Sequence, residues 1–228
     1  MTLESIIAIV IAASLGLKWV VERCLFWRQR RQYISEHQEY IDQLEQFDRT
    51  YSPERPDIEC ALKCKEYLNA MFPEGIRNKV AELSQEERLR LFSQIEKDAE
   101  GLLEVSIDNI DYYTDANPPE NMWCGFYRHE DNSFHINADF IQSPDSELIE
   151  EQIFTIFHEL KHARQWQAVL DDHDYGYSKE LLCSWAENLQ NYIPPCISDE
   201  LYRKQPVEMD TFGFESVLKG EISIKGLA

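Results

Sequence analysis

Positive charge is scarce in this chain: 22 Lys and Arg stand against 42 Asp and Glu, a formal net charge of −20 over 228 residues. So acidic a surface repels phosphate backbones, which excludes nucleic acid as a partner, and it attracts basic or neutral polypeptides. A glycine-rich phosphate loop and a serine nucleophile elbow are both missing, which removes the chemistry that depends on them. Cysteine occurs six times but without paired knuckle spacing. Cys24, Cys124, Cys183 and Cys196 stand apart, while Cys60 and Cys64 are four residues apart on an expected helix, a spacing that binds metal or forms nothing. All six are expected to be mostly buried, reduced thiols. There is no internal repeat and no low-complexity segment.

Basic residues are also missing before the first apolar run. Leu3–Val21 covers about 19 residues, close to the ~20 that a bilayer needs, provided that Lys18 snorkels toward one interface beside Trp19. Lys18, Arg23, Arg28, Arg30 and Arg31 all follow the apolar core of this run. The order argues against a cleaved signal peptide and predicts a single-pass membrane anchor with the rest of the chain cytoplasmic. In that reducing compartment the six thiols need no disulfides. Charge divides at the same place, since residues 1–31 hold five basic and two acidic side chains and the remainder holds 17 and 40.

Beyond the anchor, about 200 residues suffice for one good core. The expected organisation is an anchor with its basic flank over 1–31, a helical segment over 32–101, and a catalytic region over 102–228. Helices are predicted at about Gln29–Phe47, Asp57–Met71 and Gln85–Ala99. The first is broken by Tyr51-Ser52-Pro53-Glu54-Arg55-Pro56, and the last is opened by the capping box Ser84-Gln85-Glu86-Glu87 and stopped near Gly101. Leu103, Val105 and Ile107 then alternate with polar residues. Met122–Tyr127 and Ser133–Phe140 read as further strands, paired as a hairpin through Arg128–Asn132.

The most informative residues are His158-Glu159-Leu160-Lys161-His162. Only six histidines occur in the chain, so two of them four apart around a glutamate are an improbable accident. On a helix, positions i and i+4 share a face, which lets both imidazoles bind one ion with Glu159 beside them to take a proton from water. The helix itself is predicted from about Pro144 to Leu170. Ser143 caps it, Asp145 and Glu147 sit at its positive end, and Ile149, Ile153, Ile156, Phe157 and Leu160 form its buried stripe. The plainer alternative is a helix whose two histidines face solvent or cap a core.

This segment resembles the active-site helix of the zincin metallopeptidases, and the resemblance spans roughly Leu103 to Phe214. It implies an α+β class: a zincin-like domain with a small sheet packed on helices, preceded here by the transmembrane helix and the helical segment. It implies Zn2+ held by His158 and His162, with Glu159 as general base. Ser133-Phe134-His135-Ile136-Asn137-Ala138-Asp139-Phe140 would be the edge strand that holds an extended peptide, with His135 a strand side chain rather than a ligand.

Two histidines leave a third ligand to be found. Pro206 opens a helix with Glu208 in its first turn, and Pro206-Val207-Glu208-Met209-Asp210 resembles the Pro-x-Glu-x-Asp stretch of bacterial zincins that use a glutamate. Glu208 is then the ligand, Asp210 orients a histidine or the bound carboxylate, and Tyr202 hydrogen-bonds the tetrahedral oxyanion. Asp210, Glu187 and Asp174 remain rival ligands, and a packed Tyr202 is an equal alternative. Trp166, Trp185, Tyr192, Pro194 and Pro195 are expected in a helix and loop over the cleft. Lys161 departs from the family pattern, and no third histidine follows His162.

The function implied is a zinc-dependent peptidase cutting a protein or peptide substrate at the cytoplasmic membrane face, with Glu159 and Tyr202 catalytic. Two alternatives stand beside it. One is a catalytically inactive zincin-like module that binds a partner peptide, and the other a membrane-proximal scaffold.

Overall fold

A computed structural model of the protein describes residues 27–28, 30–114, 124–171 and 173–221. The chain divides into two compact units, Met1–Thr50 with Ile193–Lys204, and Tyr51–Tyr192 with Gln205–Ala228. In the first unit, helix α1 (Gln38–Thr50) buries Tyr40, Ile41 and Leu44 with Ile193. The five-residue helix Asp199–Arg203, called α8 below, belongs to the same unit and is capped by the Ser198 side chain.

The second unit is built from α2 (Arg55–Met71), α3 (Ile76–Ala81), α4 (Gln85–Leu103), β1 (Asn109–Tyr113), β2 (Gly125–Arg128), β3 (Ser133–Asn137), α5 (Ala138–Ile141), α6 (Ser146–Leu170), α7 (Lys179–Gln190) and α9 (Pro206–Lys219). Its core is one apolar cluster. Cys64 and Leu68 come from α2, Phe92, Ile95 and Ala99 from α4, Phe134 and Ile136 from β3, Ile153, Phe157 and Leu160 from α6, and Phe214 and Leu218 from α9. The α6 stripe expected from the sequence is all buried there, so burial on one side turns the two histidines to the other.

The expected α+β class is corrected by this architecture, because the described residues are mostly helical with a single small three-stranded sheet. Two local causes account for the excess of strand in the expectation. Leu103 ends α4, which runs through Gly101 and closes on Glu104 in the left-handed conformation, so its alternation with Val105 straddles a helix end. Asn137 caps a helical turn by accepting from the Asp139 amide, which stops β3 three residues before Phe140. Helix α6 likewise begins after Asp145, whose side chain accepts from the Glu147 amide, while Ser143 instead accepts from the Asp145 amide. The Ser84–Glu87 capping box forms in both directions.

The expected anchor, Leu3–Val21, lies outside the described residues. Among those that are described, no helix is long and apolar enough to cross a membrane. The single-pass membrane reading, and with it the placement of the catalytic region at a cytoplasmic membrane face, is therefore withdrawn. The thiols also differ from expectation: of the five described, Cys60 and Cys64 are buried, Cys124 is half-buried, and Cys183 and Cys196 are exposed.

Sheet order is β1-β3-β2, with β1 parallel and β2 antiparallel to β3. The strand expected to form the substrate edge, Ser133–Phe140, is thus central and paired on both sides. The strand with its open side toward α6 is β2. The Asn137 amide donates to the Cys124 carbonyl, and antiparallel alternation then turns the main-chain groups of Gly125 and Tyr127 away from β3. β2 can lie this close because residue 125 has no side chain. A Cβ there would sit 2.8 Å from the His135 carbonyl and 3.2 Å from Thr155 Cγ2 on α6. Gly125→Ala is expected to destabilise the protein by ~1–3 kcal/mol through displacement of β2. A denaturation midpoint unchanged from the parent would show that the strand shifts at no cost.

Candidate metal centre

His158 and His162 project one turn apart from α6, and Glu208 meets them from the first turn of α9. Pro206 at the start of α9 sets that turn, and the Asn188 side chain accepts from the Val207 amide. His158 Nε2 lies 3.8 Å from Glu208 Oε2, and His162 Nε2 lies 3.6 Å from Glu208 Oε1. Among the described residues these three form the one group of three or more metal-ligating side chains, with ligand atoms all within 4.8 Å of one another. Ligands ~2.0–2.1 Å from a tetrahedral ion stand roughly 3.3 Å apart, so contractions from a few tenths of an ångström up to about 1.5 Å close the set.

The hydrogen bonds around the cluster aim the correct nitrogens inward. His158 Nδ1 is 3.0 Å from Glu215 Oε2, and Glu215 is held in turn by Lys219 at 2.7 Å. His162 Nδ1 is 2.9 Å from Gln165 Oε1. The Gln165 amide nitrogen donates to the Val207 carbonyl and to Asp210 Oδ2, which leaves its oxygen facing the ring. Both imidazoles therefore carry their proton on Nδ1 and present Nε2 to Glu208, the arrangement that metal-binding histidines use. Glu208 Oε1 accepts a 2.6 Å bond from the Tyr192 hydroxyl.

Glu208 Oε2 is buried and, among the described residues, has no hydrogen-bond partner. A buried carboxylate oxygen left so is costly, and nearby cationic charge offsets it. Although burial alone would favour its neutral form, the charge and hydrogen bonding of His162, with His158 adding to them, hold Glu208 down to about 2. Burial disfavours a charged His162 as well, yet the Glu208 carboxylate outweighs it and pushes His162 up to about 9. Both shifts describe one fact: the cluster demands positive charge, and a proton on His162 supplies it. Two imidazoles and one carboxylate, one of whose oxygens is orphaned, fit a zinc ion.

In comparisons with known proteins the chain matches no family model, no curated protein and no solved structure. Its chemistry is therefore read from this geometry.

Glu159 stands beside the cluster with its Oε2 accepting from the Tyr127 amide of β2 at 2.9 Å. The remaining expected residues are placed as follows. Tyr202 lies on α8 in the first unit, whereas the phenol that touches the cluster belongs to Tyr192. Asp210 is not a ligand of the group; it reaches His162 only through Gln165 and accepts from Tyr51 at 2.9 Å. Asp174 accepts from the Gly176 amide in the loop before α7, and Glu187 sits on α7, both outside the group. Trp185 is core, while Trp166 stacks on His129 at 3.6 Å between centroids.

Two contributors, Glu215 and Gln165, escaped the sequence reading, and a third, Tyr192, was expected only as part of a helix and loop over the cleft. Glu215 carried a signal, since it falls seven residues after Glu208 and so returns to the same face of α9. Gln165, three residues after His162, carried a weaker one of the same kind. Tyr192 precedes the second ligand segment in irregular chain and has no periodicity to mark it.

Proposed function

We propose that the chain is a zinc-dependent peptidase acting on a protein or peptide substrate. The observation that carries this reading is the orphaned Glu208 oxygen between two imidazoles whose Nδ1 protons are both turned outward. A bound zinc would polarise a carbonyl and acidify water. Glu159 is the proton carrier, held by the Tyr127 amide so that its carboxylate remains beside the histidines. Tyr192 is placed to donate to negative charge near Glu208, the role that Tyr202 was expected to fill. With the Tyr127 amide taken by Glu159, the outward main-chain groups of Gly125 and the Tyr127 carbonyl are what β2 offers an extended peptide to pair with.

Three protein ligands leave a coordination position for substrate, which favours hydrolysis over the closed site of an inactive binding module. The test is to load the full chain with zinc and incubate it with a mixture of unstructured peptides, scoring new N-termini by mass spectrometry. Cleavage that stops with a chelator and returns with zinc is the expected result. About one tightly held zinc per chain without any cleavage would replace the peptidase with the binding module.

A further inference from the structure

Lys161, the departure from the family pattern inside the His158–His162 segment, is fully buried. Burying an ammonium costs several kcal/mol unless its charge and its three N–H groups are all met. They are met here. Asp57 Oδ1 and Asp210 Oδ2 each lie 2.6 Å from Nζ, and the Tyr177 hydroxyl lies at 3.1 Å. The rings of Tyr177 and Trp185 cover the ammonium at 4.9 and 4.7 Å. Asp57 comes from α2, Lys161 from α6 and Asp210 from α9, so the ion triad joins both ligand-bearing helices to a third.

One arm of this triad, Asp210, bonds directly to the residue that holds His162, and the other, Asp57, reaches it at second hand. Asp210 Oδ2 accepts from Lys161 and from the Gln165 amide, and Gln165 Oε1 faces His162 Nδ1. Lys161 thus sets where Asp210 sits, Asp210 sets which end of the Gln165 amide faces the ring, and that choice fixes the His162 tautomer. Asp210 also lies two residues from Glu208, so its attachment to α6 fixes how near Glu208 comes to the histidines. Asp57 bonds to Lys161 and Tyr177 and also meets Asp210, so that it reaches Gln165 and the ligands at second hand.

We propose that Lys161 is a positioning residue for the metal centre, acting through Asp210 and Gln165 on His162 and through α9 on Glu208. This rests on the zinc reading given above.

The test measures metal affinity of the full chain by competition with a chromophoric chelator, together with the visible spectrum of the Co2+-loaded protein. Lys161→Met and Gln165→Leu are expected to weaken zinc binding by ~10- to 100-fold and to shift the Co2+ bands. Asp57→Asn keeps an acceptor for Lys161 and is expected to leave affinity within about twofold and the bands in place, whatever it does to the melting temperature. Circular dichroism establishes which variants fold. Should Lys161→Met fail to fold, Gln165→Leu, which cuts the relay but leaves the ion triad whole, decides. Parental affinity and spectrum in Gln165→Leu, or an Asp57→Asn shift as large as that of Lys161→Met, would overturn the positioning role while the zinc site stands. A parental chain that binds no zinc would overturn both.

Discussion

Glu159→Gln is expected to keep zinc at the parental content and to lower the rate of peptide hydrolysis by ~10²- to 10⁴-fold. The reasoning is local. The Tyr127 amide donates to Glu159 Oε2, and a glutamine carbonyl accepts the same bond in the same place, so the variant preserves the position of the side chain against β2. It removes only the capacity to take a proton. Glu159 is not one of the three ligands, so their mutual distances should not change. Initial rates at saturating zinc, with metal content measured on the same samples, separate the two effects. Parental rates in the variant would take Glu159 out of the mechanism, and a loss of zinc in step with the rate would make it a part of the metal site instead.

What the sequence disclosed about this centre follows from what periodicity can carry. His158, Glu159 and His162 are adjacent on one helix, and the stripe from Ile149 to Leu160 orients that helix without knowledge of anything else in the fold. Glu208 was singled out by the resemblance of Pro206-Val207-Glu208-Met209-Asp210 to a Pro-x-Glu-x-Asp stretch, and Pro206 marks the helix start on whose first turn the carboxylate falls. The groups that tune these ligands lie across helix packing or in irregular chain. Glu215 and Tyr192 meet the cluster only once α9 has docked on α6, and no local spacing encodes that meeting for Tyr192.

The sheet was harder for the same reason. β1, β2 and β3 have five, four and five residues, so each gives barely two turns of alternation, and neighbouring helix ends imitate it. The hairpin through residues 129–132 was visible as a polar break between apolar runs. Which of its strands would be the open edge was not, because β1 arrives from 20 residues upstream to cover the other side of β3. A buried His135 on that central strand, bonded to Ser133 at 2.8 Å, is the outcome. Lys161 shows the opposite case. It read as a departure from a pattern, and its explanation required two aspartates more than 45 residues away on either side in sequence.

Zinc is expected to reverse the direction in which pH acts on the centre. In the metal-free chain His162 is raised from its ordinary 6.5 to about 9, so its pairing with Glu208 contributes stability in full below about 6.5 and loses it as pH rises through about 9. Glu208 is lowered from 4.5 to about 2, so its share is present above about 4.5 and is lost as pH falls toward 2. Burial raises Glu96 to about 7, which costs stability as pH rises from about 4.5 through 7. The metal-free melting temperature should therefore peak near pH 5 and decline toward pH 9. Zinc must displace the proton from His162, and its apparent affinity should rise about tenfold per pH unit between 6.5 and 9 by one-proton linkage. The increase in melting temperature on adding zinc should widen over that interval. An affinity flat from pH 6.5 to 9 would mean that His162 is already neutral without metal, and that something other than its proton balances the buried Glu208 carboxylate.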